Sequence, residues 1–467
     1  VLSFALKYYY KNYQTMNNKT KTILFITLAI IFIIIAPLIL LYSQGYRFDF
    51  QKYEILKTGG IYIKTSEPGA EIYIDEKYNN KTNQFLSYDF LVQNLIPKEH
   101  LIKVKKPEFV SWEKNLLVKE KMVTQAYIIL FPEKINFTLV ENELNKIYTF
   151  PGQNKIIAIN SQNQIYVFEN GQKTIILENA AKNINQILDV IMSKDSNQII
   201  IKATEKKTNK IKFYLLPLNK ETTELIDLKN LDKTMEKLSF YSNNIIYYDL
   251  GKKLYKETLD LQKATLVLYE PIQSFVIDGE SLYFLQNNSL FRKNLITNNS
   301  EELSKQSLPL KENSAYDIFI YWGKIFILEN QSNLYVLDEN KTINKLIDSK
   351  TPLHYVDFYE KLLFYNDSQV WLYFLKDYES PFFVKANTLI LLVNYEKIND
   401  LDWIGGDYFV RINENGQAII SEIDNRGKMN EFALEPTNIT QVWFSQKDKK
   451  LYLLSNGNLL VSPKLIP

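Results

Sequence analysis

A mainly β protein carrying one N-terminal transmembrane helix is predicted by three observations. An uncharged apolar run extends from Ile23 to Tyr42. Short alternating strands separated by turn residues then occupy the chain from Lys57 to about Pro132. From about Asn145 onward, units of strand, turn and strand recur at about 40 residues each, the spacing of four-stranded propeller blades. The expected order is a short cytoplasmic N-terminus (1–22), a transmembrane helix (23–42), a juxtamembrane linker (43–56), a small β-sandwich (57–132) and a β-propeller (133–467). Eight blades are favoured, with seven as the alternative.

Composition suits this class. Tyr (32) and Phe (27) are abundant while Gly and Pro number only 14 each, and pleated faces accept aromatic and β-branched side chains well. A formal net charge of +2, from 55 basic and 53 acidic residues, gives no electrostatic footprint for nucleic acid, which is not expected as a partner. The chain has no cysteine, which excludes disulfides, thiolate nucleophiles and Cys-based zinc sites. With His100 and His354 as the two histidines, no His-pair metal site and no compelling Ser-His-Asp arrangement arises, and no cofactor is expected. So many carboxylates form pairs by chance, so their number does not argue for a glycosidase. Gly405-Gly406 lies in a turn between strands without a phosphate-loop context.

The apolar run reads "ILFITLAIIFIIIAPLILLY" and at about 1.5 Å per residue spans roughly 30 Å of hydrocarbon. The following "SQGYRFDF" offers no small-x-small cleavage site, so an uncleaved anchor is expected rather than a signal peptide. Lys7, Lys11, Lys19 and Lys21 precede the run with no acid among them, whereas Arg47, Lys52 and Lys57 alternate with Asp49 and Glu54. The positive-inside rule then places the N-terminus in the cytoplasm and the rest outside a plasma membrane crossed once. Met16 is the expected translation start.

In the sandwich region "GGIYIKT", "AEIYIDE", "LIKVKK", "NLLVKEK" and "QAYIILF" read as five strands. Pro68-Gly69 turns the chain between the first two. The stretch "SEPGAEIYIDEKYNNKT" with "QNLIPKEHLIKVKKPEFVSWEKNLLV" resembles a PEGA domain, a small β-sandwich of bacterial and archaeal surface proteins. Gly69-Ala70, Ile72, Ile74-Asp75, Lys77, Lys81-Thr82, Asn94-Leu95, Pro97, His100, Val104, Phe109 and Trp112 fit the family pattern. Pro and Glu are exchanged in Glu67-Pro68, and Glu76, Asn80 and Glu99 stand where turn glycines are expected, which predicts altered turns. The resemblance implies no catalytic residues; His100 is expected to be structural and Trp112 to plug the sandwich core.

The propeller units begin near "KIYTF", "LDVIMS", "LSFYS", "SFVID", "YDIFIY", "VDFYE", "LDWIGG" and "QVWFS". The last supplies three strands, and "KINFTLVE" at 134–141 is placed to supply its missing outer strand and close the ring. The unit around "SPFFVKANTLILLV" is irregular. Several units open on an acid-apolar pair: Asp189-Val190, Asp317-Ile318, Asp357-Phe358 and Asp402-Trp403, with Ser239, Ser274 and Gln441 in equivalent places. This pattern resembles the inner strands of TolB-like and WD-like propellers. Two readings are open. The carboxylates ring the central channel and attract a cation or basic partner, or each accepts hydrogen bonds from the neighbouring blade, which is preferred. On the first reading Asp317, Asp357, Asp402 and Trp403 are the candidate binding residues.

The expected function is a membrane-anchored, cell-surface binding or scaffolding protein of the bacterial envelope, whose propeller presents a face to a protein or glycan. An enzymatic role is not expected. The alternatives are an extracytoplasmic carbohydrate-active enzyme with its site in the propeller channel, and a structural subunit of an envelope assembly.

Overall fold

The computed structural model describes residues 17–49, 53–83, 88–150, 155–169, 172–177, 183–218, 225–305, 314–394 and 396–467. The expectation about Met16 and the first fifteen residues lies outside them. Helix α1 runs Asn18–Ser43, and none of its residues is buried. Asn17 caps it by accepting from the Lys19 N–H (3.4 Å), and Gly45 at φ +84° turns the chain away beyond its end. Thr22 and Thr27 return their hydroxyls to the carbonyls of Asn18 and Ile23 (2.9 Å each), so neither leaves a donor facing an apolar surround. Within the stretch expected as linker, strands Tyr46–Asp49 and Glu54–Lys57 pair as a hairpin.

Two compact units follow from the packing, one containing residues 1–105 and 113–128 and the other 106–112 and 129–467. The first holds a two-sheet sandwich. One sheet places Gly59–Thr65 between Asp89–Leu95, antiparallel, and Val123–Ile128, parallel. The other has the order Lys77–Lys81, Glu71–Ile74, Glu99–Lys105, Trp112–Leu117. Among the described residues seven strands therefore replace the five read from the sequence; Lys77–Lys81 is too polar to show an alternation, and in Asp89–Leu95 three apolar residues run together. Inward positions alternate as expected of a pleat, with Ile61, Ile63, Ile72, Ile102 and Val104 fully buried. Gly59 is required by close approach, since a Cβ there would lie 2.2 Å from the Lys119 carbonyl oxygen. The turn after Ile74 keeps two residues despite its missing glycine: Asp75 and Glu76 both adopt left-handed backbone, at φ +48° and +67°.

The second unit contains eight four-stranded antiparallel sheets among the described residues. Their first strands, Leu144–Thr149, Ile184–Met192, Leu238–Ser242, Ser274–Asp278, Tyr316–Tyr321, His354–Phe358, Ile398–Trp403 and Ile439–Ser445, open blades 1 to 8 in order. Seven blades are consecutive four-strand meanders. Blade 8 is completed from the other end of the unit, because Thr138–Glu141 pairs antiparallel with Asn458–Lys464. Apolar clusters fill every junction between successive blades, and the junction of blade 8 with blade 1 is packed by Leu144, Ile147, Ile156, Trp443 and Leu454. The ring is thus closed with eight blades. In blade 6 the irregular stretch is a long connection before the outer strand Leu389–Asn394. The helix-forming residues of "LKNLDKTMEKL" form turns, not a helix, on entering blade 3.

Candidate binding site in the propeller channel

Blade 3 supplies the basic group of the site. Asp249, buried at the end of its second strand Ile245–Leu250, accepts the N–H groups of Glu236 (2.9 Å) and Lys237 (2.7 Å) through one oxygen. Burial pushes this carboxyl up from its ordinary range, against the pull of those two bonds. The turn so fixed sends the Lys237 ammonium to blade 5, where it pairs with the Asp317 carboxylate and donates to the Ile318 carbonyl (2.9 Å). Lys237, Gln273, Ser274, Asp317, His354 and Tyr355 border a cavity of about 850 Å³ at the starts of the first strands of blades 3 to 6. That lies within the about 300–1,000 Å³ typical of small-molecule sites.

Tyr355 forms the aromatic wall. Its ring stacks on Phe319 at 4.1 Å and 11°, yet the residue remains 39% exposed, so its outer surface faces solvent. The surrounding protein raises the phenol pKa by desolvation, and Asp317 and Asp357 add to the shift. Burial lowers the His354 pKa, favouring the neutral ring.

The four candidate residues do not form one ring. Asp317 pairs with Leu328 on the second strand of blade 5, one position from the Ile318–Ile327 core pair. Counted back from the two-residue hairpin that closes each pair of strands, Asp317 corresponds to His354 in blade 6, while Asp357 lies three residues nearer the hairpin. Asp357 is partly buried, receives a hydrogen bond from Tyr321, and has its pKa raised by burial. Asp402 accepts the N–H groups of Trp403 (2.8 Å) and of Phe444 in blade 8 (2.7 Å). Asp400, unnoticed in the sequence, accepts from Leu401 (3.0 Å), from Val442 in blade 8 (2.9 Å) and from the Tyr365 hydroxyl (3.3 Å). Burial pushes Asp400 up to about 6 and Asp402 to about 7. Trp403 is 1% exposed and donates its indole N–H to the Val356 carbonyl of blade 6 (3.2 Å). Among the four, Asp317 alone borders the cavity; Asp402 and Trp403 join blades.

Asp189 accepts the N–H of Val190 (2.9 Å). Gln441 joins blade 8 to blade 1, accepting from Ile147 N–H (2.9 Å) and donating to its carbonyl (3.0 Å). In the sandwich, buried His100 bridges the Asp75 carboxylate and the Ile96 carbonyl, both at 2.8 Å. Trp112 is buried and belongs to the unit of 129–467, where its indole N–H donates to Glu422 (2.9 Å). Among the described residues no three His, Asp or Glu side chains gather as a metal site.

Lys237 and Tyr355 were missed because nothing in their local sequence is unusual. The available signal was position: each stands at or beside the start of a first strand, where side chains reach the channel.

Residues 58–134 match the PEGA domain, so this chain combines a PEGA domain with an N-terminal apolar helix and an eight-bladed β-propeller. No curated protein sequence matches the chain. Among solved structures it is similar to the C-terminal WD40 domain of Sif2, at 10% identity over 72% of this chain and 99% of that one, with a TM-score of 0.47. It is also similar to the Cps50 (Swd1) β-propeller domain of Myceliophteria thermophila, at 12% identity over 60% and 98%, with a TM-score of 0.37. The blade count rests on the strand pairing of this chain itself.

Proposed function

We propose that this is a single-pass membrane protein whose PEGA domain and propeller lie outside the plasma membrane, where the propeller binds a protein or glycan of the cell envelope. The observation that carries the reading is α1: its 26 residues bury nothing against the protein, so the uncharged apolar surface of residues 23–42, of membrane length, needs a non-aqueous surround. Lysines before α1 and mixed charge after it support an N-terminus held in the cytoplasm. The channel cavity supports binding as the propeller's role.

Protease added to intact cells expressing the chain with a C-terminal tag tests the topology; loss of the tag is expected, and its protection until the cells are lysed overturns the reading. Capture experiments with the detergent-solubilised chain test the role. Retention of an envelope protein or glycan is expected, turnover of a retained glycan points to a carbohydrate-active enzyme, and self-association alone points to a structural subunit.

A further inference from the structure

We infer that the channel cavity is a saccharide site, which takes a neutral, hydroxyl-rich ring against Tyr355 and beside the Lys237–Asp317 pair; the inference rests on the binding role proposed above and names its ligand class. Three properties of the cavity lead there. Its charge is mixed: Lys202 and Lys237 line it together with Glu236, Asp249 and Asp317, Asp249 being engaged by the Glu236 and Lys237 N–H groups, while His354 is held toward its neutral form. An anion bound at Lys237 meets Asp317 beside it, and a cation meets the converse, so neither charge is favoured at the centre.

The second property is mixed hydrogen-bonding character. The ammonium only donates and the carboxylate only accepts, and each sugar hydroxyl does both, so adjacent hydroxyls of one ring can engage the pair. Ser274, 2% exposed and bordering the cavity, has a hydroxyl without a partner among the described residues; the Gln273 carbonyl oxygen is likewise unpartnered, its amide nitrogen being fixed on Asn288 (3.2 Å). Rotation of Ser274 about χ1 toward a ligand therefore breaks no hydrogen bond. A buried polar group left in this state costs stability that a ligand contact recovers.

The third is the aromatic wall. Phe319 holds the Tyr355 ring from behind at 4.1 Å, leaving a pre-oriented surface for the C–H face of a pyranose. An ordinary core tyrosine in this place would be covered, and the residue is 39% exposed.

The test uses the full chain in a detergent without a sugar headgroup, against neutral oligosaccharides of glucose, galactose and N-acetylglucosamine, with heparin and polylysine as charged controls. Binding of a neutral oligosaccharide is expected. Tyr355→Ala and Asp317→Asn should each weaken it about tenfold, the equivalent of about 1.4 kcal/mol, while Tyr355→Phe keeps it within about threefold because the stacking face remains. Ser274→Ala should weaken binding while leaving Tm unchanged or higher, a split that a purely structural serine does not give. If Tyr355→Ala fails to fold, Asp317→Asn and Ser274→Ala carry the comparison. Binding of no neutral saccharide, binding of charged polymer alone, or saccharide binding indifferent to all of these variants overturns the inference. Capture of an envelope protein without saccharide binding overturns it while leaving the surface-binding role standing; protection from external protease overturns that role independently.

Discussion

Asp402 shows how far a residue's type can be read and where reading stops. Its place in an acid-apolar pair was visible in the sequence, but the particular donor it binds was not, because the Phe444 N–H belongs to the next blade. Since burial raises the folded carboxyl to about 7, against about 3.9 when unfolded, the native state binds the proton more tightly. The group costs nothing below the unfolded value, and stability falls as pH rises from about 4 to about 7. Asp400, raised to about 6 beside it, titrates with it as a pair. Asp402→Asn keeps an acceptor but cannot ionise, so its Tm relative to the unaltered protein should climb between pH 5 and pH 8. Thermal melts across that range check this; a constant offset would show that the carboxyl does not titrate in the window. Asp317 and Asp357 teach the complementary lesson. Both look like the same position of successive units, yet a three-residue offset in strand pairing sends the first to the cavity and the second to a Tyr321 hydrogen bond.

Individual strands were legible wherever one face is buried and one is not, since alternation then appears in the sequence. Strand Lys77–Lys81 escaped because it is mostly polar and wholly exposed, and Asp89–Leu95 because its apolar residues Phe90, Leu91 and Val92 run together without alternation; only pairing with a neighbour makes them strands. The turn between Ile74 and Lys77 carries Glu76 at φ +67°, where a side chain costs roughly 1–2 kcal/mol. Glu76→Gly should therefore stabilise the chain by about 0.5–1 kcal/mol, after the entropy glycine adds to the unfolded state, measurable as a raised denaturant midpoint. Closure of the propeller was legible from a deficit: blade 8 has three strands in sequence and 134–141 had no blade. Deleting 134–141 should uncover the edge of Asn458–Lys464, lower Tm and produce concentration-dependent association in sedimentation velocity. A monomeric deletion variant with unchanged Tm would show that this pairing contributes little.

For the whole molecule, the helix dominates behaviour outside the folded units. The full chain should stay with membranes through alkaline carbonate extraction, and replacing Ile30 and Ile34 by Lys should release it, since each charge at a helix centre costs roughly 2.5–3.5 kcal/mol on insertion. Retention of that variant would mean that the attachment lies elsewhere. The sequence by itself determined the span, the PEGA resemblance and the blade repeat, because hydrophobic length, alternation and period are local properties that a linear chain displays directly. Only the tertiary structure decided that Lys237 of blade 3 meets Asp317 of blade 5, that Asp402 serves the backbone of blade 8, and that Tyr355 faces a cavity. Those facts depend on which residues of separate blades share one level of the ring, and that level is set by strand register and packing between sheets, which no single blade's sequence contains.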